Sequence, residues 1–263
     1  MADRKVEIDS TRRSASEILE QVANNGREEL ARSPHALAFS GVAGGLTMGL
    51  TGLAVAAVQS TLGPGALGEL VSYLVYPLGF IAVIIGRAQL FTENTLYPVI
   101  LVLDEPRHLG KMLRLWGIVF FANVFGALLF AALAIRTPAL RPEYAEQLMK
   151  LGQTALDSTT AHIFWSGVIG GWLIALVAWM VSASHWTIGQ IAIIGMVTFV
   201  VGLGHFAHCI ATSGEILSAV VGGKATPGAY GHWILFATLG NIAGGVTIVS
   251  LLNYGQVKAG EPE

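Results

Sequence analysis

The stretch GHFAHCIATSGE, residues 204–215, places two histidines, the single cysteine, two hydroxyl side chains and a glutamate inside a long apolar segment. No Asp, Glu, Lys or Arg precedes that glutamate back to residue 158. A continuous helix over residues 187–223 would exceed the roughly 20 residues that cross a bilayer. The surplus length and the glycine predict a break at Gly204–Ser213. Unwound backbone is tolerated in a membrane only where protein buries it or where it lines a cavity.

The rest of the chain has the composition of a membrane protein with several spans. Hydrophobic residues make up 53% of the chain and charged residues only 12%, whereas soluble domains are about 25% charged. No basic patch interleaved with aromatic residues occurs, which argues against a nucleic-acid partner. The long uncharged tracts predict six transmembrane helices in a lipid bilayer, at about residues 37–60, 70–103, 112–135, 161–182, 187–223 and 230–252.

Internal repetition predicts that these spans form two halves of three. The hexapeptide SGVAGG at residues 40–45 recurs as SGVIGG at 166–171, and Asn123 in the third span matches Asn241 in the sixth. Because each half has an odd number of spans, the two halves have opposite orientations. The segment GRAQLFTENT, residues 86–95, predicts a break in the second span that matches the break in the fifth. Matching breaks in inverted repeats indicate a transport site near the bilayer midplane.

The distribution of basic residues predicts the orientation. The sequence divides into a cytoplasmic N-terminal segment (1–35), a six-span channel domain (36–255) and a cytoplasmic tail (256–263), in a bacterial-type inner (plasma) membrane. Ser14 and Glu17 match a capping box and predict an amphipathic helix. This helix is an anchor or packing lid, or alternatively a pH-operated gate. The basic residues assigned to the inner side are Arg4, Lys5, Arg12, Arg13, Arg27, Arg32, Arg107, Lys111, Arg114 and Lys258.

Five short motifs in the second to sixth spans carry a resemblance to a known family. They are LFTENT (90–95), ANVFGALLF (122–130), LVAWMVS (176–182), HCIA (208–211) and GNIAGG (240–245). In this order and spacing they resemble the formate/nitrite transporter family. The resemblance implies an all-α, aquaporin-like protomer whose second and fifth helices are broken. It further implies a homopentamer in which each protomer has its own pore for small monovalent anions, with no cofactor and no enzymatic activity.

The resemblance also assigns residues to the pathway. The central histidine of the family falls on His208, and its loop threonine falls on Thr92. A neutral imidazole can hydrogen-bond an anion and, once protonated, offset its charge or transfer a proton. The implied activity is therefore facilitated, proton-coupled passage of the anion. The resemblance places an inner constriction at Leu90, Phe91 and Ile174 and an outer constriction at Tyr76, Phe80 and Val201.

Several residues depart from the family pattern or stand outside it. Arg87, Glu93 and Glu215 are ionisable groups in or near the broken spans, which suggests a charged network in which Arg87 pairs with one of the glutamates. The lysine that many family members place before the fourth span is replaced by Ala155. His205 lies one helical turn from His208 and is interpreted as packing or as support behind the pathway residues. The asparagines Asn123 and Asn241 are expected to make interhelical hydrogen bonds or to support the pathway.

Three alternatives remain open at this level. One is a neutral-solute channel of aquaporin type, although no Asn-Pro-Ala triplet occurs in the sequence. Another is a non-conducting sensor or scaffold on the same fold, in which the charged side chains plug the pore. The third is an intramembrane metalloenzyme with His205, His208 and Glu215 as ligands. The metalloenzyme is disfavoured because Glu215 lies about 10 Å beyond His208 along a helix, so the sequence favours no metal site.

Overall fold

The computed structural model describes residues 13–63 and 65–260. The predicted inner-side residues Arg4, Lys5 and Arg12 lie outside the described residues, as do parts of the two predicted terminal segments. Within the described part, the chain is built from α-helices joined by short connections.

Six membrane-spanning units follow one another along the chain, as the sequence predicts. Five helices in the described residues are long and apolar enough to cross a membrane, and the remaining unit is the divided fifth span. Exposed leucine, phenylalanine and tryptophan side chains cover the outside of this bundle. The spans are α2 (Pro34–Leu62); α3, α4 and α5 (Ala66–Val75, Leu78–Ile85 and Tyr97–Asp104); α6 (Leu109–Arg136); α8 (Thr160–Ala183); α9 and α10 (Thr187–Leu203 and Ala211–Val221); and α11 (Pro227–Ala243) continuing through a π-helix (Gly244–Leu251) into α12 (Leu252–Lys258).

Two further helices mark the two faces of the bundle. The helix α1 (Ala15–Ala31) begins with the predicted capping box, in which Ser14 accepts from the amide of Glu17, and it packs on α5. The helix α7 (Pro142–Leu156) joins the two halves at the opposite end of the bundle. We call these ends the α1 face and the α7 face. Lys258 contacts Asp104 at 3.6 Å, so the described C-terminal end also lies on the α1 face.

An ion pair fastens α1 to the loop after α5. The guanidinium of Arg27 lies 2.8 Å from the carboxylate of Glu105. Hydrogen bonds from Arg27 and then Arg107 lower the pKa of Glu105 to about 2. A lowered pKa in the folded protein means that the stabilising charge is present above the ordinary pKa of about 4.3 and is lost only as the pH falls toward 2. The pair therefore stays charged throughout the physiological range.

The second span contains a kink that the sequence analysis did not predict. α3 ends at Val75 and α4 begins at Leu78, and Pro77 lies between them. Proline has no amide hydrogen and clashes with the preceding turn, so it interrupts the helix before the predicted break is reached. The main break then spans residues 86–96, with a 3-10 turn at Glu93–Thr95.

Both halves use the same close contact between their first and third spans. α2 packs along α6, and α8 packs along α11. A Cβ atom at Gly45 would overlap the carbonyl oxygen of Asn123, and one at Gly171 would overlap that of Asn241. These glycines let the two backbones in each half touch, which brings each asparagine within reach of a neighbouring break.

Asn123 holds the first break with three hydrogen bonds. Its amide nitrogen donates to the carbonyl of Gly41 at 2.7 Å and to the carbonyl of Gln89 at 2.8 Å. Its side-chain oxygen accepts from the amide of Phe91 at 2.9 Å. One fully buried side chain therefore links α6 to α2 and also satisfies unwound backbone on both sides of Leu90.

Asn241 repeats this arrangement at the second break. It donates to the carbonyls of Gly167 and Ala207, both at 2.8 Å, and accepts from the amide of Cys209 at 2.9 Å. The sequence predicted bonds between helices at these positions but carried no sign that the same side chains would hold the breaks.

Replacing this asparagine should destabilise the protein. Asn241→Ala leaves a buried amide and two buried carbonyls without their partner, which we expect to cost about 2–4 kcal/mol. The measurement is chemical denaturation of the purified protein in detergent. The control is Asn253→Ala, which removes a single bond to Val249 within one helix and should cost less than about 1 kcal/mol. Equal stability of the two variants would contradict the bracing role of Asn241.

Candidate functional site

The two breaks meet at a hydrogen bond between His208 and Thr92. The distance from His208 Nε2 to Thr92 Oγ1 is 2.8 Å, and both side chains are fully buried. His208 comes from the loop between α9 and α10, and Thr92 from the unwound segment between α4 and α5. His208 and Thr92, the residues that the sequence singled out for the pathway, thus lie in contact between the two broken spans.

Backbone amides fix the tautomer of His208. Its Nδ1 atom faces the amides of Ala211 at 3.0 Å and Ile210 at 3.3 Å, at the start of α10. Amides at a helix start have no partner within the helix, so Nδ1 accepts and carries no proton. In a neutral imidazole the proton then resides on Nε2, which donates to Thr92 Oγ1. The hydroxyl hydrogen of Thr92 remains available to a ligand.

Aromatic side chains close the site toward the α7 face. The rings of Phe80 and His208 are nearly perpendicular, with centroids 5.0 Å apart. Tyr76 lies 5.7 Å from Phe80, one helical turn back across the kink at Pro77. Phe80 and Val201 have no exposed surface, and Tyr76 has almost none. The three residues predicted for the outer constriction are therefore buried on this side of His208.

Apolar side chains also close the site toward the α1 face. Leu90 and Ile174 have no exposed surface, and Phe91 is nearly as buried. The ring of Phe91 packs against Trp116 at 5.8 Å and Phe120 at 5.2 Å. These two aromatic residues of α6 could not be predicted from the sequence, because a tryptophan and a phenylalanine four residues apart are common on a membrane helix.

A cavity opens on each side of the buried pair. The cavity on the α7 face has a volume of about 280 Å³, and the one on the α1 face about 60 Å³. Polar residues of the α7-face cavity are Tyr73, Thr154, Ser158, His162, Ser166, His205, Thr212 and Glu215. Those of the α1-face cavity are Asn25, Glu28, Glu29, Arg87, Gln89, Glu93, Asn94, Tyr97 and Gln190.

The structure separates Arg87 from Glu215, and it places Arg87 in the same cavity as Glu93 without a direct ion pair between them. Arg87 and Glu93 line the α1-face cavity, whereas Glu215 lines the α7-face cavity. Within residues 13–63 and 65–260, Arg87 forms no ion pair with either glutamate. The two breaks belong to inverted halves, so equivalent positions at their starts open toward opposite faces. Arg87 is exposed and has a left-handed backbone, with φ of 57°.

The structure also turns His205 away from His208. The chain leaves α9 at Gly204, and His205 has φ of 51°, so the assumed helical turn between the two histidines does not exist. His205 lies 3.2 Å from the hydroxyl of Tyr73 and 3.4 Å from the carboxylate of Glu69, at the mouth of the α7-face cavity. No group of three His, Cys, Asp or Glu side chains in the described chain is arranged to hold a metal ion.

The hydrogen bonds of His208 predict its tautomer in solution. In protein labelled with nitrogen-15 at histidine, we expect the His208 signals to report a protonated Nε2 and an unprotonated Nδ1 at neutral pH. The comparison with His208→Gln identifies the signals. A protonated Nδ1 would show that the amides of Ile210 and Ala211 do not set the tautomer.

Comparison with known proteins identifies the fold and the family. The sequence model of the formate/nitrite transporter family matches residues 16–255. The inner membrane protein YfdC of Escherichia coli (strain K12) is 34% identical over 97% of this chain and 83% of its own length. A solved structure described as an FNT family ion channel matches with a TM-score of 0.83 at 20% identity, covering 94% of this chain and all of that one.

A second solved structure has the same fold. It is described as a pentameric formate channel with formate bound, and it matches with a TM-score of 0.72 at 19% identity, covering 86% of this chain and 98% of that one. The inverted repeat and the divided second and fifth spans are thus shared with solved channels. The family match extends over most of the chain, and this multi-pass membrane protein belongs to the formate/nitrite transporter family.

Proposed function

We propose that the protein conducts small monovalent anions of weak acids, such as formate or nitrite, through a pore in each protomer. The observation that carries this proposal is the buried His208–Thr92 pair between two apolar closures, with a cavity beyond each closure. The closure toward the α7 face consists of Tyr76, Phe80 and Val201, and the closure toward the α1 face consists of Leu90, Phe91 and Ile174. The family match and the bound formate in a similar solved channel support the substrate class. His208 and Thr92 are then the substrate-contacting residues.

The apolar closures determine the form in which the substrate crosses. An isolated charge in surroundings of low dielectric constant costs many kcal/mol. Leu90 on one side of the pair and Phe80 on the other offer no polar atom to offset that cost. The substrate therefore crosses with a proton, as the neutral acid, and the anion is stabilised only between the closures. There the hydroxyl hydrogen of Thr92 supplies a donor, and the Nε2 hydrogen of His208 either orients that hydroxyl or turns to the anion itself when the anion takes the place of Thr92 Oγ1.

The proposal includes the orientation and the assembly. The α1 face is cytoplasmic, because it carries most of the described basic residues in the connections, and the membrane is the bacterial inner membrane, as the name of the relative YfdC indicates for that protein. Both termini then lie in the cytoplasm, with residues 1–35 and 256–263 flanking the channel domain 36–255. A homopentamer, as named for one similar structure, would cover part of the exposed apolar surface.

Arg87 acts in this scheme to offset the negative charge that an anion meets in the α1-face cavity on the cytoplasmic side. It is exposed in the α1-face cavity and is not neutralised by an ion pair within 4 Å in the described chain. A fixed positive charge at a mouth raises the local concentration of anions. Glu28, Glu29 and Glu93 line the same cavity and would repel an anion, so without Arg87 this mouth would carry only negative charge.

The tight closure at Phe80 and Leu90 also favours a second candidate. Two closures without exposed surface fit a non-conducting sensor on the same fold. Flux distinguishes the two functions directly. Swelling of vesicles by water or glycerol without flux of any acid would instead support a neutral-solute channel.

The first flux prediction concerns His208. In proteoliposomes supplied with formate, nitrite, hydrosulfide, acetate or lactate, we expect flux of at least one acid. His208→Phe should lower that flux by at least about tenfold, because it removes the central donor. His35→Phe, at an exposed position near the start of α2, should leave flux within about twofold of wild type. Equal flux in wild type and His208→Phe would contradict the mechanism.

The second flux prediction concerns Arg87. In inside-out vesicles, Arg87→Gln should raise the anion concentration for half-maximal flux several-fold, and high salt should reduce the difference because it screens exposed charges. The matched variant is Arg114→Gln, an exposed position of α6 near the same face. A loss of affinity that is as large for Arg114→Gln, or that is independent of salt, would contradict the local role of Arg87.

A further inference from the structure

Among the described residues, the α7-face cavity is lined by one carboxyl group, that of Glu215, and by no lysine or arginine. Position 155 in its wall is alanine. The titratable side chains that line it are Tyr73, His162, His205 and Glu215. An anion that approaches the closure at Phe80 from this side therefore meets Glu215 without a fixed positive charge beside it.

Two glycines make room for Glu215 on the helices packed against α10. A Cβ atom at Gly52 of α2 would lie 2.7 Å from Glu215 Cγ and 3.1 Å from its Oε1. A Cβ atom at Gly152 of α7 would overlap the main-chain oxygen of Glu215. The carboxyl group is thus seated in a notch between three helices, at the wall of the cavity.

The carboxyl group of Glu215 has no partner among the residues that the structure describes. No hydrogen bond or ion pair of the Glu215 side chain is found within the described chain. The His205 ring is already hydrogen-bonded to Tyr73 and lies 3.4 Å from the carboxylate of Glu69. A partly buried carboxylate without a counter-charge is costly. A ligand that can share a proton with Glu215 removes this cost.

Among the described residues, no charged side chain on the surrounding helices serves as a counter-charge for Glu215. α2 contributes Gly52 at the contact, and α7 contributes the uncharged Leu151, Thr154 and Ala155. The other titratable groups of these elements have their own places. His162 of α8 lines the cavity, and Tyr230 of α11 is hydrogen-bonded to Ser213. Arg136 of α6 donates to the carbonyl of Val221 at the far end of α10. A separate depression on the α7 face is lined by Glu69, Glu143, Glu146 and Lys150.

We propose that Glu215 shares one proton with the substrate in the α7-face cavity and so loads it with the proton needed to cross. This inference rests on the proposed function. In the step, the O–H bond of the Glu215 carboxylic acid breaks and an O–H bond forms on an oxygen of the anion. Glu215 becomes a carboxylate, and the neutral acid enters the closure at Phe80. Water in the open mouth then returns a proton to Glu215, so one proton accompanies each anion.

The shared proton defines the substrate class. Two oxyanions at hydrogen-bond distance cannot both remain ionised, so they hold one proton between them. Small oxyacids such as formate, acetate and nitrite present such an oxygen, whereas chloride does not. The site therefore selects weak oxyacids over halides.

The flux experiment uses the full-length protein in proteoliposomes with Glu215→Gln and its matched variant Glu146→Gln, an exposed glutamate of α7. At about pH 8, where little neutral acid is present in water, formate flux should fall by at least about tenfold in Glu215→Gln. The loss should shrink toward about pH 5.5, because more substrate then arrives already protonated. Glu146→Gln should match wild type, and Glu215→Asp should keep the wild-type pH profile at a lower rate.

Flux in Glu215→Gln that equals wild type at about pH 8, or that falls equally at both pH values, would overturn the proposal, since the second result indicates a structural defect. Infrared difference spectra of the purified protein on addition of formate provide a readout that does not need flux. The carbonyl band of a protonated carboxylic acid should change in wild type, and this change should be absent in Glu215→Gln and with chloride.

The two measurements separate this inference from the proposed function. A formate-dependent carboxyl band in a protein that carries no acid at all would uphold proton sharing at Glu215 and refute conduction. Flux in wild type without any formate-dependent change in the band would refute proton sharing and leave conduction intact.

Discussion

Unwound backbone in the middle of a membrane must find hydrogen-bond partners inside the protein, and the architecture of this chain depends on meeting that requirement twice. The lipid supplies no donors or acceptors. Asn123 and Asn241 supply them at the two breaks, three bonds each. These asparagines reach the breaks only because glycines allow close contact between the paired helices. The geometry of each break therefore depends on the close packing of the paired helices, and this arrangement occurs in both halves.

The repeated framework carries different chemistry in its two halves. Asn123 and Asn241 make equivalent sets of bonds, yet the first break presents Thr92 and the second presents His208. The same holds at the mouths, where the residues with left-handed backbone at the start of each break are Arg87 and His205. A symmetric scaffold thus produces an asymmetric path, with a permanent cation at one end and a titratable ring at the other.

Periodicity, charge and repetition in the sequence were enough to predict the framework of the protein. The six spans, both breaks, the capping box at Ser14 and the inverted halves need only the length of apolar tracts and matching letters. The orientation of individual side chains was harder to predict from the sequence. Arg87 and Glu215 lie at different faces because the two halves are inverted, and the helical turn assumed between His205 and His208 is absent because α9 ends at Leu203. Trp116 donates to the carbonyl of Asn94 and Asn241 donates to the carbonyl of Ala207. These partners are distant in the sequence, so no local pattern predicts the bonds.

The closures on either side of His208 have an electrical consequence. Phe80 and Leu90 have no exposed surface, so within the described residues no continuous column of water joins the two cavities. Hydrated sodium, potassium and hydronium ions therefore have no water-filled path through the protein. In this conformation the protein therefore offers such ions no route by which a membrane voltage could discharge.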